Sequence, residues 1–159
     1  MMMMMSMLLL VSPALADPAA VEDTHTASPA RIEYLWIREA PPTAKVMAAY
    51  GTLCNDDKEV LILVAAESES FSAVEMHASR ESDSTVTMER LNDVPIAPGA
   101  CVMFEPGARH FMLMDPVRSL RSGDEVTLTL QFANGMEQDV AVPVRRADEM
   151  DTNPNHEHH

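Results

Sequence analysis

Two imidazoles and two thioethers, His77, Met88, His110 and Met112, follow one another as His, ten residues, Met, twenty-one residues, His, one residue, Met. Neutral nitrogen and soft sulfur suit Cu(I). Mg²⁺ and Ca²⁺ prefer oxygen, and zinc sites usually take thiolates, more histidines or a carboxylate. If the four converge in space, the chemistry they support is the holding and passing of copper. No general base, nucleophile or oxyanion device accompanies them, so an enzyme is not expected.

The elements that must position these donors are short strands. Segments rich in Val, Ile, Leu, Thr and aromatics run over Ile32–Arg38, Val46–Asn55, Val60–Glu67, Ser72–Ala78, Ser84–Leu91, Ala100–Glu105, His110–Asp115, Glu125–Ala133 and Gln138–Val144. Turn residues punctuate them: Pro41-Pro42, Asn55-Asp56-Asp57, Pro98-Gly99, Pro106-Gly107, Ser122-Gly123-Asp124 and Asn134-Gly135. No long helical period with caps appears. The chain reads as all-β, an antiparallel sandwich or barrel.

Successive strand residues face opposite sides, so parity assigns the faces. Val74 and Met76 should look into the core, leaving Glu75 and His77 outward or at a rim. Phe111 and Leu113 take the core face of the next donor strand, which leaves His110, Met112 and Met114 together on the other. His110 and Met112 then form a same-face chelating pair, with Met114 as an auxiliary metal ligand or a residue on the access path. Met88 shares its face with Val86. Judged by itself Met88 would fill the core, and His77 by itself would be an ordinary surface histidine. Only the joint spacing marks them.

At 159 residues there is room for one ordinary domain. A short apolar run, Met7–Val11, precedes the small-residue site Ala14-Leu15-Ala16, so residues 1–16 are expected to be an export signal cleaved near Ala16. Residues 17–30 read as a linker, 31–146 as the folded domain, and 147–159 as an acidic, His-containing, disordered tail. No stretch is long and apolar enough for a membrane helix. With 25 Asp and Glu against 11 Lys and Arg, nucleic acid is not an expected partner. A monomer exported to the periplasm is the expected state. Cys54 and Cys101 are the only cysteines. In an oxidising compartment they could form a disulfide closing a loop of about 47 residues, worth about 3–4 kcal/mol, or they could remain as two separately buried thiols.

The stretch from His77 to Met112 resembles the His-x10-Met-x21-His-x-Met motif of the periplasmic PCu(A)C copper chaperones without insertion or deletion. The resemblance extends to Trp36-Ile37-Arg38, Pro41-Pro42, Ala49-Tyr50, Val94-Pro95-Ile96-Ala97-Pro98-Gly99, Pro106-Gly107, Met112-Leu113-Met114, Leu120, Gly123-Asp124 and Leu128-Thr129-Leu130-Gln131-Phe132, covering roughly residues 31–146. It implies a cupredoxin-like Greek-key β-sandwich holding one Cu(I) on His77, Met88, His110 and Met112. It also implies a role in copper supply to cytochrome c oxidase, particularly the CuA site of subunit II, or to a related copper acceptor. A thiol-containing delivery partner could act alongside it.

Thioethers suit an oxidising compartment because they do not pair into disulfides as thiolates do. Two alternatives remain open in the sequence. A blue-copper electron carrier would use Cys101 as a thiolate ligand with His77, His110 and Met112. A secreted β-sandwich binding module would use none of them for metal. His156, His158 and His159 in the tail form a second candidate site, suited to Cu(II).

Overall fold

The computed structural model describes residues 28–82 and 85–150. The expected export signal, most of the 17–30 linker, and His156, His158 and His159 lie outside the described residues. Ten strands form: β1 (Arg31–Arg38), β2 (Val46–Cys54), β3 (Leu61–Glu67), β4 (Phe71–Ser82), β5 (Thr85–Leu91), β6 (Val94–Ile96), β7 (Cys101–Phe104), β8 (Arg109–Pro116), β9 (Glu125–Phe132) and β10 (Glu137–Arg145). Alternation of apolar and polar residues produces them, most plainly in β9, where Val126, Leu128, Leu130 and Phe132 are buried. Asn134-Gly135 turns β9 into β10, with Gly135 at φ 84°, a left-handed conformation glycine adopts without a Cβ clash.

The strands lie in the order β5-β4-β8-β2-β1-β10-β9-β3-β6, with β7 on the end of β2. A bridge between Ala66 of β3 and Val74 of β4 closes this path on itself. Every residue of the core cluster packs inside that closure, including Ile37, Leu53, Leu63, Phe104, Phe111, Leu113, Leu128, Leu130, Val142 and Val144. The all-β, cupredoxin-like class holds. Its pairing is not wholly antiparallel, because β1 and β10 run parallel through Ile37–Val144 and Arg38–Arg145. Two strands far apart in sequence meet there without a hairpin, so local turn signals could not disclose the pairing.

A bulge interrupts β1 between Glu33 and Trp36. Tyr34 sits in it at φ 54° with its ring in solvent, and Leu35 is pushed against Gly51. A Cβ at Gly51 would lie 2.6 Å from the Leu35 Cα, so that contact requires glycine. The extra residue also resets parity, which is why Ile32 and Leu35 both turn toward the core.

The domain's edges extend beyond the expected boundaries. Ala30 is buried and exchanges backbone hydrogen bonds with the Gln138 side chain, its N–H donating to Oε1 and its carbonyl accepting from Nε2. Residues Ala147–Met150, read in the sequence as disordered tail, form one helical turn. The Glu149 carboxylate there accepts from the Arg146 backbone N–H and the Ser122 hydroxyl. Those hydrogen bonds, chiefly the backbone one, hold its carboxyl below the usual carboxylate range.

Candidate metal centre

His110 owes its position to a tight turn. The Glu105 N–H donates to Arg109 O and the Ala108 N–H to Glu105 O, with Gly107 at φ 80° between them. β8 therefore starts with His110 at the lip of the sheet. Phe111 and Leu113 point inward and are fully buried, and the Phe111 ring stacks on Phe104 at 4.3 Å between centroids, 9° apart. That anchoring turns His110 and Met112 to the other face, as parity requires.

On neighbouring β4, Met76 enters the core and His77 takes the face shared with His110. The two histidines are direct cross-strand partners, with rings 6.0 Å apart and inclined by 28°. Outward along the sheet, β5 places Met88 opposite Ser79. On the other side, β2 sets Ala48 opposite Met112, where a small side chain leaves room, and brings Tyr50 to the same face with its ring 5.5 Å from Trp36. Three adjacent strands, β5, β4 and β8, thus carry all four sequence-selected donors on one face.

A cleft of about 480 Å³ opens there, and its walls include Met88, His110, Met112, Tyr50, Arg38 and Glu39. His77 is not on the wall; it lies against His110. Exposure is graded across the site: His110 is 7% exposed, Met112 half-buried, and Met88 60% exposed. The structure overturns the expectation for Met88 judged alone, because β5 is the edge strand and has no second layer over this residue. Nor is His77 an ordinary surface histidine, since little of its ring is exposed.

The ring nitrogens are unequal. His77 Nε2 lies 2.8 Å from Glu75 Oε2, while His77 Nδ1 is buried without a hydrogen-bond partner. Glu75 Oε1 receives the Arg90 guanidinium at 3.0 Å. The hydrogen bond from His77 lowers the Glu75 carboxyl below its ordinary range; desolvation opposes it, and the Arg90 charge adds to it. His110 Nδ1 faces the Ala108 carbonyl oxygen at 3.3 Å. An unpartnered buried nitrogen and two thioethers beside a second imidazole fit a soft monovalent cation. Among the described residues no three His, Cys, Asp or Glu groups gather to hold a metal, so a site here draws on the methionines.

Met114 shares the face and stands opposite Val46, which lines the cleft, although Met114 itself is not on the cleft wall. Cys54 and Cys101 face each other on β2 and β7 and are joined in a disulfide, which removes the separate-thiol alternative. A thiolate ligand at Cys101 is thereby excluded, and the blue-copper alternative with it. Glu75 and Arg90 were missed as site residues, although the parity that put Glu75 beside His77 carried the signal for the first. Tyr50 and Arg38 reach the cleft through pairings no local pattern reveals.

The LpqE-like family model matches residues 31–144. A Leifsonia xyli subsp. xyli protein described as "Putative lipoprotein Lxx21020" is 29% identical over 116 residues, 72% of this chain and 69% of that one. The solution structure of CuI-DR1885 from Deinococcus radiodurans matches with a TM-score of 0.58 at 25% identity, over 82% of this chain and 87% of that one. The copper-bound PCuAC domain from PmoF2 matches with a TM-score of 0.63 at 21% identity, over 75% of this chain and 94% of that one.

Proposed function

The chain belongs to the LpqE-like family, and from that premise we propose that it is an exported copper chaperone that carries Cu(I) on His77, Met88, His110 and Met112. The observation that supports this best is the convergence of the four on one sheet face, three of them on one cleft and the fourth stacked behind His110. Two similar solved structures are copper-bound by their own descriptions, and the related Leifsonia protein is described as a lipoprotein, which supports copper as cargo and export as the setting.

The donor set suits transport. Imidazole and thioether are neutral, so the complex keeps the single positive charge of Cu(I), and no anionic ligand favours the divalent ion. The carboxylate nearest the donors, Glu75, is already engaged by His77 and Arg90. The exposure gradient gives an order of exchange: a partner's ligand displaces Met88 at the open edge first, while His110 holds the ion from beneath. The recipient in this reading is cytochrome c oxidase subunit II at its CuA site, or a related acceptor, served with a thiol-containing delivery partner. The folded carrier, which takes in Ala30 and the 147–150 turn, lies behind a cleaved leader, and His156, His158 and His159 form a separate Cu(II)-binding tail.

Competition for Cu(I) against a chromophoric chelator tests the reading, using the full chain with the three tail histidines replaced by Ala. One tight Cu(I) per chain is expected, and His110→Ala should abolish it while the fold persists. A chain that takes up no Cu(I), or a His110→Ala variant with unaltered affinity, refutes the assignment. Transfer to an isolated oxidase subunit II domain then tests the recipient.

A further inference from the structure

The two site histidines are held by opposite nitrogens. A carbonyl oxygen only accepts, so the Ala108 carbonyl, which also receives the Ser79 N–H, requires a proton on His110 Nδ1. That leaves His110 Nε2 with the lone pair. A carboxylate likewise only accepts, so Glu75 Oε2 requires the proton on His77 Nε2. The lone pair of a neutral His77 ring then falls on Nδ1, the buried nitrogen with no partner. We propose that Glu75 is a positioning residue that locks His77 in the Nε2–H tautomer and commits its Nδ1 to the copper ion, while His110 offers Nε2.

This rests on the copper reading above and adds to it which atoms bind and what selects them. Arg90 completes the arrangement. It stands opposite His77 on β5 and occupies Glu75 Oε1, so both carboxylate oxygens are engaged and neither is left to bind metal. The guanidinium also offsets the carboxylate charge beside a site whose donors are neutral. Partners that fix the tautomer of a ligating histidine typically account for 10–100-fold in metal affinity.

The pairing predicts a specific inversion. In Glu75→Gln, Arg90 keeps the side-chain oxygen, so the amide N–H₂ turns toward His77 Nε2, which must then accept. The proton moves to Nδ1, and the metal-binding lone pair is lost there. Long-range proton–nitrogen NMR on the ¹⁵N-labelled, copper-free full chain at pH 8 reads the tautomer directly. The wild type should show His77 protonated at Nε2 and His110 at Nδ1. Adding Cu(I), which is diamagnetic, should shift His77 Nδ1 and His110 Nε2 and leave the other two nitrogens protonated.

Glu75→Gln should show His77 protonated at Nδ1 and bind Cu(I) about 10–100-fold more weakly. Glu75→Ala, a second variant in case the first folds poorly, should show a tautomer mixture and a similar loss. Arg90→Gln keeps the carboxylate–imidazole bond, so it should retain the tautomer and lose less than about fivefold in affinity, the usual limit for an exposed ion pair. A wild-type His77 protonated at Nδ1, or one whose tautomer survives both Glu75 substitutions, overturns the proposal before any copper is added. Failure of the wild type to take up Cu(I) instead overturns the copper reading and the metal half of this inference, a result distinguishable from the tautomer readout.

Discussion

Met88→Leu separates a metal ligand from a packing residue more cleanly than any other change in the cleft. The side chain is 60% exposed on the edge strand β5, so little apolar area is at stake. Leu nearly conserves its volume, and a surface substitution of this kind costs within about 0.5 kcal/mol. For a domain of this size that moves the apo melting temperature by about 1–4 °C at most. Copper affinity should respond differently. Losing a partner that merely orients a ligand costs about 10–100-fold, and a donor in direct contact is worth at least as much, so the loss should reach at least about 1.4–2.8 kcal/mol. At saturating copper, the stabilisation conferred by the ion should shrink by the same amount. The assays are chelator competition and melting with and without Cu(I). Met103→Leu is the control, because Met103 is equally exposed on β7 and lies off the cleft wall. A folded Met88→Leu that binds copper as tightly as the Met103→Leu control refutes the assignment of Met88 and returns it to the surface.

Three further outcomes follow from the fold. Gly51→Ala places a Cβ against the Leu35 backbone at 2.6 Å, so the β1 bulge must shift, and urea denaturation should show a loss of about 1–3 kcal/mol. Replacing both Cys54 and Cys101 with Ser opens a disulfide spanning 47 residues in sequence. Denaturant midpoints should report a loss of about 2–5 kcal/mol, with Cu(I) uptake retained because neither sulfur lies in the cleft. Asp124 accepts from the Arg121 backbone N–H and from Arg118, and these bonds lower its carboxyl below the ordinary value. A depressed folded value means stability present above the unfolded carboxyl pKa of about 4 and lost as pH falls through the lower folded value. Melting below about pH 4 should therefore be less acid-sensitive in Asp124→Asn than in wild type, whereas above pH 5 the variant should be the less stable of the two.

Much of the architecture was legible because strands announce themselves locally. Alternation in Glu125–Phe132 and in His110–Asp115 identifies both the strand and its inward face, and Asn134-Gly135 identifies the turn. Where a local signal was absent, the reading fell short. The short strand Val94–Ile96 has too few residues to show a period, and it appears only because it pairs with β3. The β1 bulge hides from a period-two count, since one inserted residue at Tyr34 inverts every assignment after it. Met88 was misjudged in isolation because an edge strand and a central strand can carry the same residues; only neighbours tell them apart.

By itself the sequence determined the donor chemistry and the facing of the donors within each strand. Both depend on side-chain type and on a backbone period of two, which neighbours along the chain suffice to set. Tertiary structure alone decided that His77 meets His110, that Met88 stands open at the edge, that Arg90 reaches the Glu75 carboxylate, and that Cys54 finds Cys101. Those contacts join different strands, most of them distant in sequence. Their registers come from burying one shared core, where a slip of one residue would expose Phe111 and Leu113 and turn His110 and Met112 inward.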